Sequence, residues 1–267
     1  MIDAKERGER MHTKELFDLS GRVAIVTGGG SGLGRQMATA LAEMGADVVL
    51  CARNAERCVE TAAELSALGV RAFGLRCDVT SADDVRAMVE RAKAELGTID
   101  ILVNNAGRAW VAPVASMAVE DWRRVLDVNL TGAFLCSQAA GNVMIAQGGG
   151  KIINIASVAG LGGAMPEVLD SIAYNTSKGG LINFTRDLAV KWGRHKINVN
   201  AIAPGWFPSK MSSTIVERWG DRLARNIPLG RIGGDEDLKG AIVYLASRAS
   251  DYITGQILAV DGGHTAL

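Results

Sequence analysis

The chain has 267 residues, with 29 Lys plus Arg against 29 Asp plus Glu and only three histidines, so it carries no bulk charge. That balance leaves no electrostatic footprint for nucleic acid or an anionic membrane surface. There is no run of about 18 apolar residues, and the opening Met1-Ile2-Asp3-Ala4-Lys5-Glu6-Arg7 is too charged for a secretory leader, so a soluble, cytoplasmic protein without membrane contact is expected.

A chain of this length suits one α/β domain. Residues 1–18 mix charges without an apolar period and predict a flexible extension, which leaves residues 19–267 for the folded domain. From there short β-branched runs alternate with amphipathic stretches. Val23 to Val26 reads as a strand, followed by a helix to Gly45, a strand from Asp47 to Leu50 and another helix. Further strands are predicted at Ala72–Leu75, Ile99–Val103, Lys151–Ile155, Ile197–Ile202 and Gln256–Val260, separated by helical patterns. Continuous apolar strands between helices imply a parallel sheet covered on both faces. Pro204 to Gly234 is the one long irregular region, carrying Trp206, Phe207, Pro208, Met211 and Trp219, and is assigned to the substrate. Cys51, Cys58, Cys77 and Cys136 form no Cys-x-x-Cys pair and read as reduced packing thiols; His12, His195 and His264 have no His or Cys neighbour, so no metal site is expected.

Three local patterns carry chemistry. The first is the turn Thr27-Gly28-Gly29-Gly30-Ser31-Gly32-Leu33-Gly34, between a strand and a helix. Glycines there let the backbone approach a pyrophosphate, and the helix N-terminus favours its charge. The spacing is G-x-x-x-G-x-G, not G-x-G-x-x-G, and by itself the turn could also be a plain strand-to-helix connection. Second, the next strand ends at Ala52-Arg53 where an acid would receive ribose hydroxyls; an arginine can grip a 2′-phosphate, which favours NADP(H) over NAD(H), the alternative being a solvated loop cation. Third, Tyr174 and Lys178 stand at i and i+4, one face of a helix. A phenol of pKa about 10 is a poor acid at neutral pH, and an adjacent ammonium is expected to lower it by about 1–3, toward the range useful for general acid–base catalysis.

Taken in order, these motifs resemble the classical short-chain dehydrogenase/reductase family, from about Leu19 to Gly263. Gly28, Ser31, Gly32, Leu33 and Gly34 fall in its cofactor turn; Cys77-Asp78-Val79 resembles the segment whose Asp contacts adenine, and Asn104-Asn105-Ala106-Gly107 its Asn-Asn-Ala-Gly. Asn129, Ser157, Tyr174 and Lys178 fall on the catalytic asparagine, serine and Tyr-x-x-x-Lys pair. Pro204-Gly205 matches the turn near the nicotinamide, and Ser209 stands where many members carry a threonine that touches the carboxamide. The resemblance implies a single doubly wound Rossmann-type sheet in strand order 3-2-1-4-5-6-7, with helices on both faces. It also implies a homo-oligomer, tetramer or dimer, built on the helices containing Asn129 and Tyr174. Tyr174 would protonate the substrate oxygen, Ser157 would hydrogen-bond it, Lys178 would hold the ribose and lower the tyrosine pKa, and Asn129 would keep a relay water in place. One departure stands out: Ser157 and Tyr174 are 17 residues apart, a longer gap than usual, with a turn-rich insert from Gly162 to Asp170 expected to bulge over the substrate side.

The implied function is NADP(H)-dependent interconversion of a ketone and a secondary alcohol. A 3-oxoacyl thioester reductase comes first and a sugar-acid or polyol dehydrogenase second. A non-catalytic NADP-binding regulator has no need of the four catalytic residues, and an epimerase of the extended type would need a larger C-terminal domain.

Overall fold

A computed structural model describes residues 11–209 and 212–267, so Met211 and residues 1–10 of the expected extension lie outside the described residues. Seven strands build the core: β1 (Val23–Thr27), β2 (Asp47–Ala52), β3 (Ala72–Arg76), β4 (Ile101–Asn104), β5 (Gly150–Ile155), β6 (Ile197–Pro204) and β7 (Ile257–Val260). They form one all-parallel sheet in the order β3-β2-β1-β4-β5-β6-β7, as the family resemblance implied. Strand pleating explains the two cores: Ala24, Val26, Val48 and Leu50 face one side, and Val23, Ile25, Val49 and Cys51 face the other. With both faces covered, each strand is apolar throughout, which is why the sequence shows continuous runs instead of alternation.

The first face is packed by α1 (Gly32–Glu43) and α2 (Ala55–Ser66) through residues such as Met37, Leu41 and Leu65. Against the second lie α3 (Ala82–Leu96), α5 (Gly132–Gln147) and α7 (Ile172–Trp192), through Met88, Met144 and Leu188. Helix starts follow the side-chain chemistry: Asn54 accepts the Glu56 N–H at 3.0 Å to cap α2, and Ser81 accepts the Asp84 N–H at 3.2 Å to cap α3. The four cysteines are buried and unpaired. Residues Thr13–Phe17, part of the stretch expected to be a flexible extension, instead form a 3₁₀ turn whose Phe17 packs on the first core, an apolar anchor too short to show as a period in sequence.

Two regions carry features that the sequence reading does not resolve. Between α4 (Val119–Leu126) and α5 the chain does not simply continue as α-helix but widens into a π turn, Asp127–Thr131. The Pro204–Gly234 region is not irregular throughout: it contains α8 (Ser213–Arg225), whose Trp219 ring is approached by Arg218 at 5.3 Å and Arg222 at 5.4 Å. The insert holds the short α6 (Pro166–Leu169), and α9 (Lys239–Ala246) returns the chain to the first core. Among the described residues no helix is long and apolar enough to cross a membrane.

Candidate active site

In an open parallel sheet the crevice for ligands opens at the carboxyl ends of the strands, where the order reverses. Here the reversal lies between β1, whose onward connection leads to β2, and β4 on its other side. The predicted site residues gather along that edge. Gly28 and Gly32 adopt φ of +66° and +51°, a region that favours glycine. A Cβ on Gly28 would meet Asn105 Nδ2 at 2.9 Å, whereas nothing lies within 4 Å of one on Gly32, which leaves that backbone open to the crevice. Gly34 sits against the Gly28 carbonyl and the Asn105 side chain, where no Cβ fits. Ser31 is the N-cap of α1 without a side-chain capping bond, and Leu33 is half-buried in its first turn.

Asn105 ties the turn down. Its Nδ2 donates to Thr27 O at 2.9 Å and Gly28 O at 3.2 Å, while Thr27 Oγ1 accepts the N–H groups of Asn105 and Ala106, both at 3.0 Å. Thr27, which opens the glycine turn, is a structural partner to which the sequence pattern gives no role of its own. Arg53 is exposed just past β2 and makes no hydrogen bond or ion pair among the described residues. Asp78 accepts from Thr80 N at 3.0 Å and Thr80 Oγ1 at 2.8 Å; those bonds, with a smaller contribution from the Arg53 and Arg76 charges, hold its carboxyl below the usual range. Val79 is buried beside Gly132.

Ser157 follows β5 and accepts the Ala159 N–H at 3.1 Å, which fixes its rotamer. Tyr174 and Lys178 occupy the first turns of α7, on one side of the helix, with Lys178 Nζ 5.7 Å from the Tyr174 ring centroid. The electrostatics run opposite to the sequence expectation. Burial pushes the Tyr174 phenol up, and only the Ser157 hydroxyl, hydrogen-bonded to it, pulls it down. Lys178 is 4% exposed, donates to Ile155 O at 2.6 Å, and is brought down to about 8 by burial. Its ammonium is engaged by the strand carbonyl, and desolvation outweighs the through-space field on the phenol. Gly107 lies at this junction: a Cβ there would be 3.8 Å from Lys178 Nζ and 3.4 Å from Asn129 Oδ1.

Asn129 is buried in the π turn, a feature often found where a helix must aim a functional side chain. Its Oδ1 accepts the Arg108 N–H at 2.8 Å; its Nδ2 donates to Arg108 O at 2.9 Å and Ser177 Oγ at 2.9 Å. The carboxamide therefore clamps the β4 loop to α7. Neither Arg108 nor Ser177 was singled out in the sequence; contacts 21 and 48 residues apart leave no local signature. Gly205 N–H donates to Val260 O at 3.0 Å, which holds Pro204-Gly205 at the end of β6. Ser209, expected near a carboxamide, shares a 2.9 Å hydrogen bond with the Ser212 hydroxyl at the entrance to α8.

A family profile described as "Enoyl-(Acyl carrier protein) reductase" matches residues 28–265. A crystal structure of a short-chain type dehydrogenase/reductase from Mycobacterium marinum superposes with a TM-score of 0.92 at 40% identity, covering 96% of this chain and 100% of that one. The chain belongs to the short-chain dehydrogenase/reductase family, and it is an oxidoreductase of that family. Its relatives include the 2-dehydro-3-deoxy-D-gluconate 5-dehydrogenase of Escherichia coli K12, 43% identical over 92% of this chain and 96% of that protein. The gluconate 5-dehydrogenase of Gluconobacter oxydans is 40% identical over 96% and 99%, and the cis-4-hydroxycyclohexanecarboxylate dehydrogenase of Sinomonas cyclohexanicum 41% over 92% and 97%. A gluconate 5-dehydrogenase from Burkholderia cenocepacia, solved in complex with NADP and tartrate, has a TM-score of 0.91 at 38% identity, covering 96% and 100%.

Proposed function

We propose that the protein catalyses reversible, NADP(H)-dependent oxidation of a secondary hydroxyl in a hydroxylated carboxylic acid. The observation that carries this reading is the convergence of Tyr174, Ser157, Lys178 and Asn129 at one crevice beside the glycine turn. Among substrate classes the sugar-acid reading, second in the sequence analysis, moves ahead of 3-oxoacyl thioesters, because dehydrogenases of gluconate and its 2-dehydro-3-deoxy derivative match at 40% and 43% identity, against 37% for a 3-oxoacyl-[acyl-carrier-protein] reductase of similar coverage.

The residues present fit the cofactor: Gly28 and Gly34 leave no room for side chains, Gly32 opens toward the crevice, and Arg53 offers an uncommitted guanidinium for a 2′-phosphate. Gly32, Gly34 and the α1 N-terminus would hold the pyrophosphate, Asp78 and Val79 the adenine, Asn105 to Gly107 with Lys178 the nicotinamide ribose, and Pro204, Gly205 and Ser209 the carboxamide end. When bound, the nicotinamide supplies a hydride acceptor or donor.

The chain's own residues handle the oxygen and the proton. Ser157, whose hydroxyl opposes the burial-driven rise of the Tyr174 phenol pKa, stabilises charge on the substrate oxygen. Tyr174 takes the hydroxyl proton during oxidation and returns it during reduction. Lys178, whose ammonium is raised in free energy by burial, offers positive charge to that step. Asn129 holds the loop and α7 in register, and its Oδ1 keeps a further lone pair for a relay water. A homo-oligomer built on the Asn129 and Tyr174 helices is consistent with Phe134 and Val190, exposed by 46% and 84% on α5 and α7.

The test follows nicotinamide absorbance with NADP⁺ and NAD⁺ against D-gluconate and related hydroxy acids, and with NADPH against a 3-oxobutanoyl thioester. The expected result is NADP⁺ reduction by a hydroxy acid. Thioester reduction without hydroxy-acid turnover would restore the first sequence reading, and saturable NADPH binding without any turnover would favour the regulator.

A further inference from the structure

The segment from Pro204 to Gly234 carries α8, and none of the described residues of that helix is buried. With so little interior contact, the place of α8 is decided by how the two ends of the segment are held. Both ends stand on one short stretch, Val260 to Gly263, which runs on from β7 at the edge of the sheet. In the first foot the Gly205 N–H donates to Val260 O at 3.0 Å, and a Cβ on Gly205 would meet Asp261 Cα at 2.8 Å. In the second foot the Leu229 N–H donates to Gly262 O at 3.1 Å. A Cβ on Gly262 would meet Ile227 Cγ2 at 2.6 Å, and one on Gly263 would meet Pro228 Cγ at 3.0 Å. The feet also join each other: the Gly233 N–H donates to Trp206 O at 2.8 Å, and the Phe207 ring leaves no room for a Cβ on Gly233.

One carboxylate shapes the stretch that carries both feet. Asp261 Oδ1 accepts the Gly263 N–H at 2.9 Å, and its Oδ2 accepts the Thr265 N–H at 2.8 Å and the Thr265 hydroxyl at 2.6 Å. Gly262 and Gly263 take φ of +66° and +91°, which lets the backbone turn within those bonds. Hydrogen bonds to an ionised acceptor are stronger than those between neutral groups, so the turn depends on this side chain. A pocket lined by Phe207, Ile227, Leu229, Val260 and Asp261 opens at the junction, so apolar packing there is incomplete and the polar bonds carry more of the geometry. The two feet do not depend on the carboxylate equally. Gly205 is bonded to Val260, ahead of the turn, whereas the second foot stands on Gly262 and Gly263, inside it.

We infer that Asp261 is a positioning residue for substrate binding: its carboxylate holds the turn on which the second foot of the 204–234 segment stands, and thereby fixes where α8 sits. It acts through Gly262, Gly263 and residues 227–229, while the Gly205 bond keeps the end of β6 in place without it. The inference uses the assignment of the 204–234 segment to the substrate, and its kinetic arm rests on the hydroxy-acid reading above.

The experiment uses the full-length enzyme. Hydrogen exchange of the NADPH complex needs no substrate; across residues 213–229 it should be at least threefold faster in Asp261→Ala than in the wild type, with β1 to β5 unchanged. In steady-state kinetics with NADP⁺ and D-gluconate, Asp261→Ala should raise KM at least fivefold while kcat and the Kd for NADPH change less than threefold. Asp261→Asn, which keeps an acceptor for the Gly263 N–H, should recover part of both effects. Thr265→Val removes only the hydroxyl bond and should shift exchange and KM in the same direction by less, with Thr265→Ser matching the wild type. Unchanged exchange at 213–229 would overturn the inference, and faster exchange with an unchanged KM would overturn the role in substrate binding. A loss of NADPH affinity equal to the rise in KM would also overturn it, since that marks a general loss of structure. Faster exchange at 213–229 in an enzyme whose wild type turns over no hydroxy acid would uphold Asp261 as the seat of α8 and overturn the hydroxy-acid reading alone.

Discussion

Replacing Lys178 by methionine in a Tyr174→Phe background isolates what it costs the fold to hold an ammonium in its interior. Burial lowers the Lys178 pKa from 10.5 to about 8. At 1.36 kcal/mol per pKa unit this is a penalty of about 3 kcal/mol. The folded protein binds this proton less tightly than the unfolded chain does, so the penalty is fully present below pH 8 and disappears as pH rises to 10.5. Integrated over that window, about 3 kcal/mol opposes folding at pH 7.5 and about 1 kcal/mol at pH 10. Methionine has similar length and no charge, and it leaves Ile155 O without its 2.6 Å donor, a loss of about 1–3 kcal/mol that does not depend on pH. The stability of the methionine variant relative to its lysine parent should therefore fall by about 2 kcal/mol between pH 7.5 and pH 10. Urea unfolding of both proteins at the two pH values measures it, and other titrating groups cancel in the difference. A stability difference that is flat across this range would show that the lysine is not desolvated and would refute the argument.

Further outcomes follow from the same geometry. Tyr174→Phe should keep NADPH binding while kcat falls by about 10²–10⁴, read by steady-state kinetics beside a binding titration; wild-type turnover would remove the proposed acid. Because the Ser157 hydrogen bond is what pulls the raised phenol down, Ser157→Ala should move the rising limb of the oxidation rate to higher pH, and an unmoved limb would separate the two residues. Arg53→Asp should weaken NADPH far more than NADH in parallel fluorescence titrations, and equal losses would argue against 2′-phosphate recognition. A methyl group on Gly34 has no space against the Gly28 carbonyl, so Gly34→Ala should lose most NADPH affinity while still folding; an unchanged Kd would mean the turn is not the cradle.

Much of this molecule was legible from local pattern. Strands such as Val23–Thr27 and Asp47–Ala52 are apolar along their whole length because both faces are covered, and the helices between them fixed a parallel, doubly wound sheet before any contact was known. The glycine turn and the Tyr174–Lys178 spacing were equally visible, since backbone conformation and helix periodicity are properties of a few neighbouring residues. The sequence by itself therefore determined a parallel sheet covered on both faces, the glycine turn and the Tyr174–Lys178 spacing, while the strand order and the Asn129 and Ser157 candidates came from the family resemblance.

Tertiary structure decided how those groups behave. The direction of the Tyr174 shift reversed because desolvation depends on what the rest of the chain packs around the phenol, and Lys178 turned out to be bonded to a carbonyl 23 residues away. Asn129 became a clamp on Arg108 and Ser177 only through a π turn that brings three separate segments together. The loops after β4 and β5 are joined, Ala112 N–H to Asp170 O, because neighbouring strands place them side by side. Pattern along a chain records periodicity and turn chemistry; burial, field and approach between distant segments exist only once the chain has closed on itself.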